Sequence, residues 1–479
     1  MEFVPHPDST GPRIAALWAQ YGPYHFARMG ALERMLGTGR AHALEIAART
    51  QDYGWNRAPG LQVITLCKDA VAEGVPFRRV FREVRQKLAE LRIEVCFLPS
   101  YFPKQSLAAL LAAKSLGLKT VMMNESHAGT ARARGLSAWV KRRLIRLFDA
   151  ALVGGIPHRR YFISMGVPAD KVFTGYDAID NDYFARRADE IRAKASEFRR
   201  QYGLPEHYFL SLGRLVPKKN LETLVRAYRK YLDASPLKET DLVMVGSGQE
   251  ETSLRCLCHH LGLPVYEKTA VGVVGVRSSA FAEATADRPE CGVRNTENGE
   301  HQIANRKSQI GNEKPGVHFY GFRQIEENPV FYALADAFIL PSLYEEWGLV
   351  VNEAMACGLP VIVSETAGCI DDLLEPGWPD LPKDNTADLL RNLGPIKSCV
   401  RKNGFVFNPR SREALAGALL AIRSVPGLQG AMGDAGRRIV EKCSCENFAR
   451  NALMAARAAL GEKPVGEVDG LPSPIESRG

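Results

Sequence analysis

Residues 337–364 read AFILPSLYEEWGLVVNEAMACGLPVIVS, and this stretch decides the fold. Two unbroken apolar runs, AFIL (337–340) and VIVS (361–364), flank a loop and an Ala/Met-rich segment with helical spacing. A short apolar run with no polar alternation reads as a strand buried on both faces, and such strands belong to parallel sheets with helical crossovers. The segment is therefore a strand–helix–strand unit. It also carries two acidic residues that a plain crossover does not need, Glu345 just past the first strand and Glu353 in the first turns of the helix. Both carboxylates are offered toward the same loop.

The same grammar extends in both directions. After His207, YFLSLGR leads into NLETLVRAYRKYL and DLVMVGSG into QEETSLRCLCHHLG, with VHFYGF and GFVFNP as later strands. Upstream, LQVITL, IEVCFLP, KTVMMNE and DAALVGG alternate with amphipathic runs such as FRRVFREVRQKLAELR. Two doubly wound Rossmann-like α/β domains follow, 1–184 and 207–445, joined by a charged helical connector at 185–206. Ligands of such sheets bind beyond the carboxyl ends of the strands, so the site is expected in the cleft where the domains face each other. Residues 446–461 read as a C-terminal helix packing back on the first domain, and 462–479 as a disordered tail. Two insertions interrupt the second domain: a polar, aperiodic stretch at about 272–316, expected to be disordered, and a shorter one at about 377–403.

A chain of 479 residues, 46% of them hydrophobic, is long enough for two cores. It has no run of about 18 apolar residues, so no spanning helix is expected. The N-terminus lacks the basic region of a secretory leader. Ten cysteines are too sparse for a disulfide scaffold, which favours a reducing, cytoplasmic compartment. The CLCHH stretch (256–260) has no second ligand pair, so no metal site is expected. The net charge of +8 is uneven: through Arg200, 31 Lys and Arg face 19 Asp and Glu, and beyond it 31 face 35. The basic half either meets an anionic partner or is a solvated surface without one. In GLSAWVKRRLIRLF (135–148), Leu136, Trp139, Val140, Leu144, Leu147 and Phe148 follow helical spacing, with Lys141, Arg142, Arg143 and Arg146 between them. This helix is either a peripheral contact with an anionic membrane at its inner face or, more commonly, a core-facing stripe with a basic edge. No nucleic-acid partner is expected.

Residue types suited to phosphate and sugar gather at the strand ends of the second domain. After YFLSL come Gly213, Arg214 and Lys219, with Lys218 as the rival in register. A forked guanidinium and a compact ammonium together suit a diphosphate, although an exposed basic turn is the plainer reading. Gly246 and Gly248 in VGSG allow close backbone approach of a ligand at a helix start. Gly348 and the amides of Leu349 and Val350 make a second anion-receptive end. Carboxylates beside anion sites are useful only if they face hydroxyls, so Glu345 and Glu353 read as acceptors from sugar hydroxyls. A ligand with sugar, diphosphate and ribose meets all three demands. That is a nucleotide sugar.

In this order, SLGRLVPKKN, LVMVGSGQEE, VHFYGF, LADAFILPSLYEEWGLVVNEAMACGLPVIVSETAGC and GFVFNP resemble the donor domain of the retaining glycosyltransferases of family 4, and Glu345 and Glu353 match its Glu-x7-Glu motif. The match covers most of residues 207–445. The resemblance implies the GT-B fold and transfer of a sugar, with retention, from a UDP- or GDP-sugar to a hydroxyl of a glycan, glycolipid or small acceptor, without metal or cofactor. It implies that Arg214 and Lys219 grip the diphosphate and stabilise it as it leaves. Glu353 would hold the ribose and Glu345 the sugar ring, with the Leu349 and Val350 amides assisting and the backbone of Tyr320, Gly321 and Phe322 bordering the base. In the first domain the resemblance is looser. His127, past KTVMMNE, takes the place of a histidine that contacts the donor sugar or assists the acceptor, and Gly22 and His25 occupy the place of a glycine-rich loop. For each histidine a capping role is the other reading. A nucleotide-sugar epimerase of the same fold and a non-catalytic nucleotide-sugar-binding protein are the competing functions, and the intact Arg214, Lys219, Glu345 and Glu353 favour the transferase.

Overall fold

The computed structural model describes residues 11–50, 55, 60–131, 135–236, 239–267, 314–381 and 394–462. The expected insertion at 272–316 lies outside them up to residue 313, as do residues 382–393 of the second insertion and the tail from 463.

Strands β1 (Ile14–Trp18), β2 (Ala41–Glu45), β3 (Val63–Thr65), β4 (Val95–Leu98), β5 (Lys119–Asn124), β6 (Ala150–Val153) and β7 (Val172–Phe173) form a parallel sheet in the order β3-β2-β1-β4-β5-β6-β7. The runs VCFL of β4 and AALV of β6 are buried along their whole length, as strands covered on both faces must be. The crossover helix Phe77–Glu90 buries Val80, Val84 and Leu88, one face at four-residue spacing.

The second sheet contains β8 (Tyr208–Leu212), β9 (Asp241–Val245), β10 (Val265–Glu267), β11 (Val317–Phe319), β12 (Ala337–Leu340), β13 (Val361–Ser364), β14 (Val400–Arg401) and β15 (Gly404–Phe407), in the order β10-β11-β9-β8-β12-β13-β15-β14. All pairings are parallel except that of β14 with β15. The end of the second insertion thus supplies an edge strand, turned back through Lys402 and Asn403. The buried Asn403 secures that turn by donating to Leu373 O at 2.9 Å.

The strand order reverses between β1 and β4 in the first sheet and, at the centre of the second, between β8 and β12. Loops diverge at such a point and leave a crevice at the carboxyl ends of the strands. The chain crosses between the domains twice. Helix Asn181–Arg192 contributes Phe184, Ala188 and Ile191 to the core beneath the second sheet, so the boundary drawn at 184/185 falls inside this helix. Helix Cys445–Leu460 returns to the first domain, where Phe448, Ala449, Ala452 and Ala456 pack with Ile14, Phe97 and Val121. Its alanines leave room for close approach to helix Pro23–Leu36.

One helix departs from the commoner expectation. Leu136–Ile145 buries only Ile145, while Leu136 is 76% and Trp139 55% exposed, and Val140 and Leu147 are exposed as well. Leu136, Trp139, Val140 and Leu147 of the apolar stripe face outward, so the core-facing reading holds only for Phe148, which packs against the first domain's core. Among the described residues no helix is long and apolar enough to cross a membrane.

Candidate active site

Because β8 and β12 are neighbours, the residues past their carboxyl ends meet. The turn Pro217–Lys219 presents two lysines to the β12 loop. Lys219 Nζ donates to Glu345 Oε2, while Lys218 Nζ lies 2.7 Å from Glu346 and 3.6 Å from Glu345. The rivalry in register resolves into a joint cluster. Burial alone would raise the Glu345 pKa, but the charges of Lys219 and then Lys218, with a 3.0 Å hydrogen bond from Ser342, hold it below the usual carboxylate value. Arg214 is exposed beside this cluster, and its charge is felt at Lys218. The loops are tied together. Asn220 donates to Pro341 O at 3.0 Å and Pro409 O at 2.8 Å, and the Leu343 amide donates to Lys218 O at 2.8 Å.

Gly348 turns this loop into helix Leu349–Ala356 at φ +102, where a Cβ would also meet Leu340 at 2.9 Å. The amides of Leu349 and Val350 open the helix, where backbone donors have no intrahelical acceptor. Glu353, one turn further, is fully buried. It accepts from the Tyr24 hydroxyl, which comes from the first domain, and from Asn328 Nδ2 at 3.4 Å. Burial pushes its pKa up to about 7 against those hydrogen bonds.

The expected glycines behave differently from the ligand-facing role that their spacing suggested. A Cβ on Gly246, at φ +135, would lie 1.9 Å from the Gly213 carbonyl oxygen, and one on Gly248 would lie 2.3 Å from that of Leu215. Their close approach is to the neighbouring loop's backbone. Gly246 also donates to Gly321 O at 2.8 Å. The Tyr320 side chain is buried and donates to Gly203 O at 2.9 Å, a core contact, whereas Phe322 is 42% exposed and meets Trp55 of the first domain at 5.2 Å between ring centres.

Histidines close the cleft from the other side. His127 follows β5; its Nδ1 accepts from the Gly129 amide at 3.2 Å, which assigns the proton to Nε2, donated to Glu345 O at 3.0 Å. His158, which the sequence reading did not single out, repeats the arrangement one residue on. Its Nδ1 accepts from Gly155 at 3.1 Å and its Nε2 donates to Glu346 O at 2.8 Å. Burial lowers the His158 pKa to about 4, so the ring stays neutral. The signal for it was faint: a histidine in the first turn after a strand ending in Gly-Gly. His25 lies elsewhere. It stacks on Trp18 at 4.5 Å and accepts from its own N-cap, Gly22, at 3.0 Å; desolvation, then Arg28, lowers its pKa to about 3. It is Tyr24, its neighbour, that reaches the Glu-x7-Glu helix.

Residues 194–266 and 290–424 match two family models, both described as glycosyl transferases group 1. Over 209 residues the chain is 28% identical to an uncharacterized glycosyltransferase of Methanocaldococcus jannaschii, covering 43% of this chain and 39% of that protein. Over 317 residues it is 23% identical to O-antigen chain mannosyltransferase B of Escherichia coli, covering 66% of this chain and 62% of the relative. The chain thus spans less than two thirds of the length of these relatives. The structure resembles that of HepE from Anabaena in complex with UDP, with a TM-score of 0.57 and 16% identity, covering 92% of this chain and 98% of that one. The fold is GT-B, two Rossmann-like domains.

Proposed function

We propose that the protein is a retaining, metal-independent glycosyltransferase that moves a sugar from a UDP- or GDP-sugar to a hydroxyl acceptor. One observation carries the reading: the Lys218, Lys219, Glu345 and Glu346 cluster lies at the β8/β12 crevice beside the start of helix Leu349–Ala356. Cations and helix amides suit a diphosphate, and the carboxylates among them suit the hydroxyls of the attached sugar. Similarity to group 1 glycosyl transferases over both donor-side stretches supports the same ligand, and retention rests on the Glu-x7-Glu match. Arg214 and Lys219 are assigned to stabilising the departing diphosphate, the usual largest catalytic contribution for a charge that develops in the transition state.

The test is a thermal-shift panel of UDP-, GDP- and ADP-sugars in the presence of a chelator, on the wild type and Lys219→Ala. Stabilisation by one base class, lost in the variant, is expected. If no nucleotide sugar stabilises the wild type, the reading is wrong.

The outward stripe of helix Leu136–Ile145, with Lys141, Arg142, Arg143 and Arg146 beside it, fits an anionic bilayer at the inner face of the membrane. The protein should co-sediment with phosphatidylglycerol vesicles at low salt and not with phosphatidylcholine. Equal recovery with both would sink this placement.

A further inference from the structure

A cavity of about 720 Å³ opens at the carboxyl ends of β4 and β5, beside the point where the first sheet's strand order reverses. Ser100, Tyr101, Phe102, Glu125, Ser126 and Lys141 are among its walls, and none of the residues assigned to the nucleotide sugar lines it.

Three features give it chemistry. Glu125 directly follows β5, two residues before His127, whose imidazole holds the Glu345 carbonyl, and it feels the charges of Glu346 and Glu345 in the β12 loop. Near it the buried Asp177 lies 3.7 Å from the buried Arg28, and among the described residues neither of its carboxylate oxygens has a hydrogen-bond partner. Burial first, and neighbouring carboxyl groups with it, raise the pKa of both acids against the opposing charge of Arg28, and Glu125 on the cavity wall is a hydrogen-bonding partner for a hydroxyl. Lys141, also on the cavity wall, donates to the Tyr161 hydroxyl at 2.8 Å and has no carboxylate within ion-pair distance among the described residues. A cation on a cavity wall that is not ion-paired is placed for an anion. Finally, Phe102 is 78% exposed at the rim with Tyr101 beside it, an apolar face of the kind on which a sugar ring packs.

We infer that this cavity takes the acceptor, and that the acceptor is a sugar or polyol bearing an anionic group, held by Lys141 through the anion and by Glu125 through a hydroxyl. The assignment rests on the transferase reading. In the transfer, the acceptor oxygen bonds to the anomeric carbon while the bond from that carbon to the diphosphate oxygen breaks. The nucleoside diphosphate leaves with the electron pair and takes up the hydroxyl proton. The anion belongs either to a soluble sugar phosphate or to a lipid headgroup. Lys141 lies on the outward-facing helix, so both sources reach the same wall.

The experiment measures nucleoside diphosphate release from the donor that gives the largest thermal shift. Added acceptors are hexose 1- and 6-phosphates, inositol 1-phosphate, their neutral counterparts, and phosphatidylcholine vesicles with or without phosphatidylinositol. Anionic compounds should raise release above the acceptor-free rate, and neutral ones should not. Stimulation by the soluble phosphates identifies that source, and stimulation by phosphatidylinositol vesicles alone identifies the lipid. Lys141→Gln should raise KM for the anionic acceptor by about tenfold or more, the loss expected for one charged hydrogen bond, with kcat little changed. Lys141→Arg should restore it, and the donor-induced thermal shift should be the same in all three proteins. Neutral sugars acting as well as their phosphates, or an unchanged KM in Lys141→Gln, would overturn the assignment. Absence of any donor-induced shift in the wild type would overturn the transferase reading and this one with it.

Discussion

Replacing Glu353 by glutamine should stabilise the protein above neutral pH and change it little in acid. The carboxyl is fully buried, and its pKa rises from 4.5 to about 7 because no cation offsets the desolvation. An acid whose folded pKa exceeds its unfolded value contributes stability that is complete below the unfolded pKa and lost as pH rises through the folded one. The interval from 4.5 to about 7, at about 1.36 kcal/mol per pH unit, corresponds to roughly 3 kcal/mol lost by pH 8. An amide has no such dependence. It can still accept from Tyr24, and it can donate to Asn328 Oδ1, which has no partner beside the carboxylate. Urea titrations of both proteins between pH 5 and 8.5 measure the effect. The stability difference should grow in favour of Glu353→Gln across that range by about 2.5 kcal/mol, the part of the pKa interval that lies above pH 5. A difference that does not vary with pH would refute the reasoning, because it would mean that Glu353 ionises alike in the folded and unfolded chains.

Three further outcomes follow from the same site. Lys219→Ala and Arg214→Ala should each lower kcat by about 10²–10³, the loss typical when one stabilising donor is removed from a developing anion; near-normal turnover in both would remove the two residues from catalysis. His158→Ala strips the Glu346 carbonyl and the Gly155 amide of their partners, at about 1–3 kcal/mol for each buried group left unpaired, so the melting temperature should fall by several degrees. Gly246→Ala sets a Cβ 1.9 Å from the Gly213 oxygen at a φ of +135, so soluble yield should collapse; a variant that melts like the wild type would show that the two loops can part.

What the sequence made legible follows from which features are local. Strands buried on both faces must be continuous apolar runs, so VCFL, AALV and VIVS announced themselves, and the alternation with helices dictated parallel sheets. The strand-end positions of Lys219 and Glu345 were visible for the same reason, and the structure places them in contact. Residues that act across the cleft were not visible. Tyr24 reaches Glu353 over 329 positions and His158 reaches Glu346 over 188, and no periodicity links such partners. The edge strand Val400–Arg401 has two residues, too few to show a period. The glycines of VGSG were read as space for a ligand because spacing shows only that a Cβ is excluded; the excluding neighbour is a second loop of the same sheet.

The two motif carboxylates are eight residues apart yet electrostatically opposite, and this bears on how a nucleotide sugar would bind. Glu345 lies between two lysines and stays ionised, so toward a ligand it can only accept. Glu353 has tyrosine and asparagine for company and is about half protonated at pH 7. Ribose hydroxyls that replace Tyr24 as its partners would donate to it and favour the anion, since hydrogen bonds to a charged form lower an acid's pKa. Binding should therefore expel up to about half a proton per nucleotide sugar at pH 7. It should tighten as pH rises through that value. Calorimetric titrations in Tris and in phosphate, buffers of very different ionisation enthalpy, give the proton count from the slope of heat against that enthalpy. Glu353→Gln should abolish the slope. A zero slope in the wild type would show that Glu353 does not gain hydroxyl donors from the ligand, and the ribose would have to be held elsewhere.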